Sequence, residues 1–217
     1  MIPKPLYLTL IGPQGSGKGT QAELLRDYFR IPSLSMGAVL REIATQGTLE
    51  GDRIKVLLAQ GSFIGNDVTG RLIIEHLSGK RYQNGVVLDG YPRDLVQARA
   101  LSRTISLNAV VAIEISDAEA TARLSGRIVC STCGANYNLR TNPPLKPGIC
   151  NTDGQPLKRR EDDTPEAIKK RLLMYHEETE PLFRFYKGIT IRIHGEQTIA
   201  EVHQAIIEGL KLLSIER

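Results

Sequence analysis

Residues 6–20 decide the fold of this chain, and they read LYLTLI followed directly by GPQGSGKGT. The first six residues are apolar and rich in β-formers, which favours a buried strand. The glycine-rich stretch matches G-x-x-x-x-G-K, and Ala22, Leu25 and Phe29 then recur at helical spacing. Glycines let backbone N–H groups turn toward a phosphate chain, and a helix N-terminus adds partial positive charge. The segment therefore predicts a strand, a phosphate-binding loop and a helix, the alternative being a tight turn without a ligand.

Apolar strands and helices continue to alternate along the chain. Residues 85–89, 109–115 and 188–193 each form a short apolar run typical of a buried strand, and residues 199–213 form an amphipathic helix. Such alternation is typical of a parallel sheet covered by helices on both faces. The sequence therefore predicts an α/β fold.

Two further helices are predicted from their start signals. Ser116 offers an N-cap with Glu119 three residues later as a capping box, and that helix is expected to reach about residue 125. Thr164 is a second N-cap, followed by Pro165 at the first helical position. We expect that helix to run to about residue 187.

Two regions break the alternation. Residues 37–77 have helical patterns divided by glycines, without a convincing strand, whereas residues 127–160 have no helical periodicity and are rich in Gly, Pro, Asn, Thr and Cys. More than thirty irregular residues between two helices usually form a functional lid or a small autonomous module. The second region is therefore expected to form such a lid or module.

Composition limits the class of protein. With 217 residues, 41% hydrophobic and 24% charged, the chain suits one large globular domain or one domain with inserted subdomains. Its net charge of +4 suits an anionic ligand or an anionic surface. It has no apolar run of about 18 residues and no N-terminal apolar stretch of a signal peptide, so we expect a cytoplasmic protein without a membrane span.

Asp89 ends the apolar run at residues 85–89. A carboxylate at the carboxyl end of a parallel strand beside a phosphate-binding loop is well placed to hold Mg²⁺, often through water. The alternative is an Asp that only forms the turn before Gly90. The position predicts a magnesium site.

All three cysteines lie within the irregular region, as Cys130-x-x-Cys133 and Cys150-x-x-Asp153. An odd number argues against a disulfide framework. Three thiolates and one carboxylate suit tetrahedral Zn²⁺, and four protein ligands would close the site, so the metal would be structural. The alternatives are free thiols in a mobile loop, a Cys130–Cys133 redox pair, or another thiophilic metal.

Further motifs accompany the phosphate-binding loop. In chain order they are DGYPR at residues 89–93, Gln97, Gly126-Arg127, REDD at residues 160–163, and Arg171. Together with the loop they resemble adenylate kinase of the long-lid type, over nearly the whole chain. The cysteine cluster is similar to the metal-bearing lids of some bacterial members.

The resemblance implies a P-loop NTPase fold with two insertions. The parallel sheet and its helices would form the CORE, at residues 1–34, 65–125 and 164–217. A helical NMP-binding insert would span residues 35–64, and a zinc-ribbon-like lid residues 126–163. The implied reaction is Mg·ATP + AMP ⇌ 2 ADP, with ATP, AMP and ADP as partners and neither nucleic acid nor membrane involved. We expect a monomer.

The resemblance also implies roles for individual residues. The catalytic residues would be Lys18, Arg93, Arg127, Arg160, Asp162 and Arg171. The ATP site would comprise Gly15, Ser16, Gly17, Lys18, Gly19, Thr20, Arg123, Arg127, Asn136, Tyr137 and Gln197. The AMP site would comprise Met36, Arg41, Ser62, Phe63, Ile64, Gly90, Tyr91, Pro92, Arg93, Gln97, Arg160 and Arg171. Cationic side chains dominate because guanidinium groups match phosphate oxygens, and the Gln97 carboxamide could both donate and accept on an adenine edge.

The sequence departs from the family where Ser35-Met36-Gly37-Ala38 replaces the usual Ser-Thr-Gly-Asp. The replacement keeps open another nucleoside monophosphate kinase, including a GTP:AMP phosphotransferase. A GTPase switch would need an Asn-Lys-x-Asp motif, which this sequence lacks. A nucleic-acid-binding zinc ribbon would leave the phosphate-binding loop and DGYPR unexplained.

Overall fold

The computed structural model describes residues 5–160 and 162–216, and a five-stranded parallel sheet forms its centre. The strands are β1 (Leu6–Ile11), β2 (Ser33–Ser35), β3 (Gly85–Asp89), β4 (Ala109–Glu114) and β8 (Thr190–His194). Their order is β2-β3-β1-β4-β8, and every neighbouring pair is parallel. All carboxyl ends therefore meet at one edge, where open α/β sheets bind their ligands.

Helices cover both faces of the sheet. They are α1 (Lys18–Phe29), α2 (Met36–Ile43), α3 (Leu49–Ala59), α4 (Asn66–Leu77), α5 (Leu95–Ser102), α6 (Asp117–Ser125), α7 (Pro165–Met174), α8 (Leu182–Phe185) and α9 (Ile199–Leu212). Val86, Val87, Val110 and Val111 are fully buried in the strands. Burial on both faces explains why these strands are continuously apolar rather than alternating. The predicted α/β P-loop fold is confirmed.

A second, smaller sheet lies within the irregular region. Strands β5 (Arg127–Cys130), β6 (Asn136–Asn138) and β7 (Leu157–Lys158) form an antiparallel sheet in the order β6-β5-β7. Its small core contains Ile128, Tyr137, Cys130 and Cys150. So little apolar area is buried there that side-chain packing alone gives this segment little stability.

The prediction of one continuous helix from residue 165 to about residue 187 is wrong. Helix α7 ends at Met174, a π-helical turn follows over Tyr175–Thr179, and α8 begins only after Pro181. Proline has no N–H to continue a helical ladder. The π turn buries the Thr179 hydroxyl, which donates to Arg93 O at 2.7 Å.

Two smaller expectations also change. The three-residue strand β2 was not predicted, because so short a segment has no periodicity of its own and exists through pairing with β3. The capping box at α6 forms only in half: Ser116 Oγ accepts from the Glu119 N–H, but the Ser116 N–H donates to Glu196 Oε1 at 2.7 Å. The Glu119 carboxylate binds two arginines instead.

Within residues 5–160 and 162–216, no helix has both the length and the apolar content required to span a bilayer.

Candidate active site

A cleft of about 310 Å³ opens at the carboxyl edge of the parallel sheet. All the residues that the sequence assigned to nucleotides or to Mg²⁺ line this cleft, apart from Met36, Ile64, Tyr91 and Gln97. Met36, Ile64 and Gln97 line a small adjoining cavity, and Tyr91 is buried in the core beneath it. The structure therefore brings the predicted site together from segments far apart in the chain.

The phosphate-binding loop wraps around the N-terminus of α1. Gly17, in the left-handed region at φ 94°, is the N-cap of the helix. Gly15 has φ 86° and lies so close to α6 that a Cβ there would be 3.0 Å from Ala120 O. Any other residue at this position would have a strained backbone and a Cβ in that close contact, which explains why position 15 is a glycine. A glycine-rich loop at the start of a helix can offer backbone N–H groups to a phosphate.

Lys18 lies over the loop. Its Nζ donates to Gly12 O and Pro13 O, both at 2.7 Å. Burial lowers the pKa of Lys18 to about 8, and the positive charges of Arg93 and Arg127 act in the same direction, against the opposing effect of Asp89. A phosphate chain in the loop would supply negative charge beside this ammonium group and would raise its pKa again.

Arg41 and Arg93 also line the cleft. Arg93 Nε donates to Gly90 O at 2.9 Å, and its guanidinium carbon lies 5.4 Å from the Phe63 ring centroid. Burial lowers the pKa of both arginines, to about 10 for Arg41, where the charge of Arg160 adds to the effect. In the part of the chain that the structure describes, no carboxylate lies within 4.0 Å of either guanidinium group. Two cations that line the cleft without an acidic partner favour an anionic ligand.

The other arginines that line the cleft are paired with acids. Asp163 accepts from Arg127 Nε at 2.7 Å and Arg127 Nη2 at 2.6 Å, and also from Arg171 Nη2 at 2.8 Å. Arg160 and Asp162 form a second two-pronged pair, with 2.8 Å between Arg160 Nε and Asp162 Oδ1. The bonds of Asp163 join β5 of the small sheet to α7. Together the two acids fix the planes of three guanidinium groups beside the cleft.

Asp89 lies between the phosphate-binding loop and β2. Its Oδ2 accepts from Ser35 Oγ at 3.1 Å, because β2 pairs with β3 in a register that puts Ser35 opposite Asp89. A Cβ at Gly19 would lie 3.5 Å from the same oxygen. A hard carboxylate oxygen this close to the start of α1 is suited to Mg²⁺, directly or through water.

The small adjoining cavity contains Met36 and Gln97. Gln97 Oε1 accepts from the Arg93 N–H at 2.8 Å, and its Nε2 donates to Asn66 Oδ1 at 2.8 Å. Met36, which replaces the hydroxyl-bearing residue usual in the family, is 2% exposed. This wall of the cavity is therefore more apolar than the resemblance implied.

Arg123, Asn136, Tyr137 and Gln197 line the cleft on the side of the phosphate-binding loop. Arg123 Nη2 donates to Gly195 O at 2.9 Å. The Tyr137 hydroxyl points away from the cleft toward the cysteines, where it accepts from the Asn151 N–H at 2.8 Å. Only the ring of Tyr137 is therefore available to a ligand here.

Cys130, Cys133, Cys150 and Asp153 converge at one point of the small sheet. Their ligand atoms all lie within 4.8 Å of one another, and the three thiols are free. The Cys133 and Cys150 sulfurs are 3.5 Å apart, close to the roughly 3.8 Å edge of a tetrahedron with 2.3 Å Zn–S bonds. The group fits one tetrahedral metal ion.

Two equivalent turns present these ligands. The Gly134 N–H donates to Cys130 O and the Cys130 N–H to Ala135 O, and the turn at Cys150 repeats both bonds through Gly154 and Gln155, all at 2.9–3.0 Å. Both glycines have positive φ, 76° and 71°. This repetition of CSTCGA and CNTDGQ makes Asp153 the structural equivalent of Cys133.

Sequence reasoning missed several residues that hold the site together. Asp163, which the resemblance gives together with Asp162 as a lid-closing carboxylate, bridges two of the predicted arginines. The residues that were missed include Ser35, which binds Asp89, and Asn66, which binds Gln97. Glu119 binds Arg123 at 2.7 Å. Only the last pair had a sequence signal, the i,i+4 spacing of opposite charges on one helix.

Comparison with known proteins places this site in a family. The family model described as adenylate kinase matches residues 10–191. An adenylate kinase of Moorella thermoacetica is 41% identical over 212 residues, which cover 94% of this chain and 98% of that protein. Adenylate kinases of Caldicellulosiruptor bescii and Symbiobacterium thermophilum are 37% and 38% identical, covering 94% and 95% of this chain and 99% of each relative. The chain therefore belongs to the adenylate kinase family.

Proposed function

We propose that the chain catalyses reversible phosphoryl transfer from Mg·ATP to AMP, giving two molecules of ADP. In this step an oxygen of the AMP phosphate bonds to the γ-phosphorus while the bond from that phosphorus to the β,γ-bridging oxygen breaks. The family and its curated relatives support the reaction. The single observation that carries it is the cleft itself, where cations surround the phosphate-binding loop and two of them lack an acidic partner.

The arginines would act by position and charge. Phosphoryl transfer needs alignment of two anionic groups and neutralisation of the charge on the transferred one, rather than a general base. Arg41, Arg93 and Arg171 would hold the monophosphate, and Lys18 the outer phosphates of ATP. Arg160, fixed by Asp162, would reach toward the transferred group. Mg²⁺ near Asp89 would neutralise phosphate charge when bound.

The finer assignments extend the same proposal. The CORE, the NMP-binding insert and the lid would correspond to the ranges expected from sequence, and the separate small sheet with its own core supports the lid boundary. The metal in the lid would be structural Zn²⁺, since all four ligands come from the protein and none lines the cleft. We propose a cytoplasmic monomer that binds neither membranes nor nucleic acid.

The test combines a substrate panel with one variant pair. Turnover of AMP, CMP, UMP and GMP would be measured with ATP and with GTP as donors, because Met36 leaves base selectivity to be established. We expect AMP with ATP to be preferred. Arg93→Ala should lower kcat/KM at least about a thousandfold, whereas Arg81→Ala, at an exposed arginine outside the cleft, should change it less than about twofold. A preferred acceptor other than AMP, or near-normal activity of Arg93→Ala, contradicts the proposal.

A further inference from the structure

A three-residue ionic cluster lies at the rim of the cleft beside the phosphate-binding loop. Glu119 and Arg123 lie one turn apart on α6, and Arg140 lies in the lid just after β6. Glu119 Oε1 accepts from Arg123 Nε at 2.7 Å, and both of its carboxylate oxygens accept from Arg140 Nη2 at 2.7 Å. These bonds lower the pKa of Glu119. One ionised carboxylate therefore serves two arginines.

Arg123 is held at two edges of its guanidinium group. Glu119 binds its Nε, and Gly195 O accepts from its Nη2 at 2.9 Å. The Arg123 side chain is only 14% exposed, and it lines the cleft together with Gly195 and Gln197. Because a planar fork bound at two edges has little freedom to rotate, the face of the guanidinium group that borders the cleft is fixed.

The lid is attached to the same point. Asn138 Nδ2 donates to Arg123 O at 2.7 Å, and Asn138 Oδ1 accepts from the N–H groups of Arg140 and Thr141 at 2.9 and 3.0 Å. This turn directs the Arg140 side chain along α6 to Glu119. The lid segment 138–141 therefore contacts the core through the helix that carries Arg123.

The position of α6 determines which nucleotide would lie near this ionic cluster. Gly15 of the phosphate-binding loop packs directly on Ala120, one residue from Glu119. Arg93 borders a different part of the cleft, where its guanidinium group lies over the Phe63 ring. A ligand whose phosphates occupy the loop would therefore extend toward Arg123, whereas an acceptor between Arg41 and Arg93 would not reach it.

We propose that Glu119 is a positioning residue for the phosphate donor: it fixes Arg123 in the wall of the cleft and fastens the lid over that wall through Arg140. This inference rests on the proposed function in taking ATP as the ligand of the loop. The carboxylate itself contacts no substrate. Its loss should weaken the binding of the donor and leave the binding of the monophosphate unchanged.

Four variants separate the two roles of Glu119. Glu119→Ala removes both bonds, Glu119→Gln keeps the shape without the charge, and Arg140→Ala removes only the bond to the lid. Glu50→Gln is the matched control, because Glu50 pairs with Arg71 in an exposed salt bridge away from the cleft. Circular dichroism and thermal melting establish that each variant is folded.

The readouts are the Kd of ATP alone by calorimetry and the KM values of both nucleotides. Since hydrogen bonds to charged groups are the stronger ones, Glu119→Ala should raise the Kd and KM of ATP about tenfold, with the KM of AMP changed less than about twofold. Glu119→Gln should lie between Glu119→Ala and the unmodified protein. Arg140→Ala should raise the Kd of ATP only about two- to threefold, because its side chain is 57% exposed.

Two results would overturn the inference: an equal rise in KM for both nucleotides, or no greater change in Glu119→Ala and Glu119→Gln than in Glu50→Gln. If Glu119→Ala does not fold, Glu119→Gln carries the test. Since ATP binding is measured without AMP, the inference can fail or hold independently of which monophosphate the enzyme accepts.

Discussion

Asp163 provides the sharpest test of how the small antiparallel sheet is joined to α7. Its carboxylate is 5% exposed and accepts three charged hydrogen bonds, two from Arg127 and one from Arg171, at 2.6–2.8 Å. Asp163→Asn has nearly the same shape, but it removes the negative charge and turns one acceptor into a donor. Two guanidinium groups would then remain beside the cleft without this counter-charge.

The stability that Asp163→Asn should lose follows from the burial of this carboxylate. Removing one partner of a buried ion pair typically destabilises a protein by about 3–5 kcal/mol. We expect the lower end, about 3 kcal/mol, because Arg171 keeps its bond to Asp162 O and Arg127 is 18% exposed. For a chain of this size, each kcal/mol lowers Tm by about 2–4 °C, so the expected loss is about 6–12 °C.

Differential scanning calorimetry of Asp163→Asn would measure this loss, with Glu50→Gln as control. Glu50 is 44% exposed in its pair with Arg71, and such a pair is worth at most about 1 kcal/mol, or about 2–4 °C. A Tm of Asp163→Asn no lower than that of the control would refute the reasoning. It would mean that the three bonds contribute nothing beyond an ordinary surface pair.

Three further predictions concern titration, catalysis and the metal. Burial acts to lower the pKa of His176, but hydrogen bonds to Asp117 and Glu180 raise it overall. Protonated His176 therefore stabilises the folded protein fully below the unfolded pKa of about 6.5. This stabilisation is lost as the pH rises through the pKa that His176 has in the folded protein. Thermal melts should accordingly show His176→Gln less stable than the unmodified protein near about pH 5.5, with the difference shrinking by about pH 8.5; an equal difference at both would contradict this. Lys18→Ala should have a kcat at least about a hundredfold lower than the unmodified protein, with an unchanged circular dichroism spectrum. In the unmodified protein, ATP binding should be accompanied by uptake of a proton above about pH 8, where Lys18 is deprotonated before ATP binds. Calorimetry in buffers of different ionisation enthalpy measures that uptake, and none at alkaline pH would speak against it. A chelator that removes Zn²⁺ should lower Tm more than it lowers activity at low temperature when activity is assayed with excess Mg²⁺, since the four metal ligands lie outside the cleft; equal loss of both would indicate that the metal at the cysteines is catalytic.

Parts of the fold were predictable because they depend on neighbouring residues. The strands at β1, β3 and β4 are short apolar runs, and the structure starts each at the predicted residue. The helix after Thr164 begins as predicted, because the cap and Pro165 act within one turn. Its end was not predictable, since the π turn at Tyr175–Thr179 exists through burial against α5 and the bond from Thr179 to Arg93 O.

The predicted metal cluster shows which part of a site a local sequence pattern can predict. Each turn needs only a pair of ligands and a glycine within five residues, so the sequence alone indicated both halves. Their convergence within 4.8 Å is tertiary, because it depends on the pairing of β5 with β6 and β7. The assignment of structural Zn²⁺ stays a prediction.

The sequence by itself indicated the phosphate-binding loop, because a glycine-rich turn between a strand and a helix depends on backbone geometry over a few residues. The family and the cationic residues of the site followed from the resemblance of motifs along the chain to adenylate kinase. Only the tertiary structure decided which cations are free and which are paired. Asp163 lies 36 residues from Arg127, and Glu119 lies 21 from Arg140. Ion pairs so far apart in sequence form only when sheet pairing and helix packing bring their residues together, so no local sequence pattern predicts them. The free charges on Arg41 and Arg93, on which the reaction would depend, are likewise a property of the folded cleft.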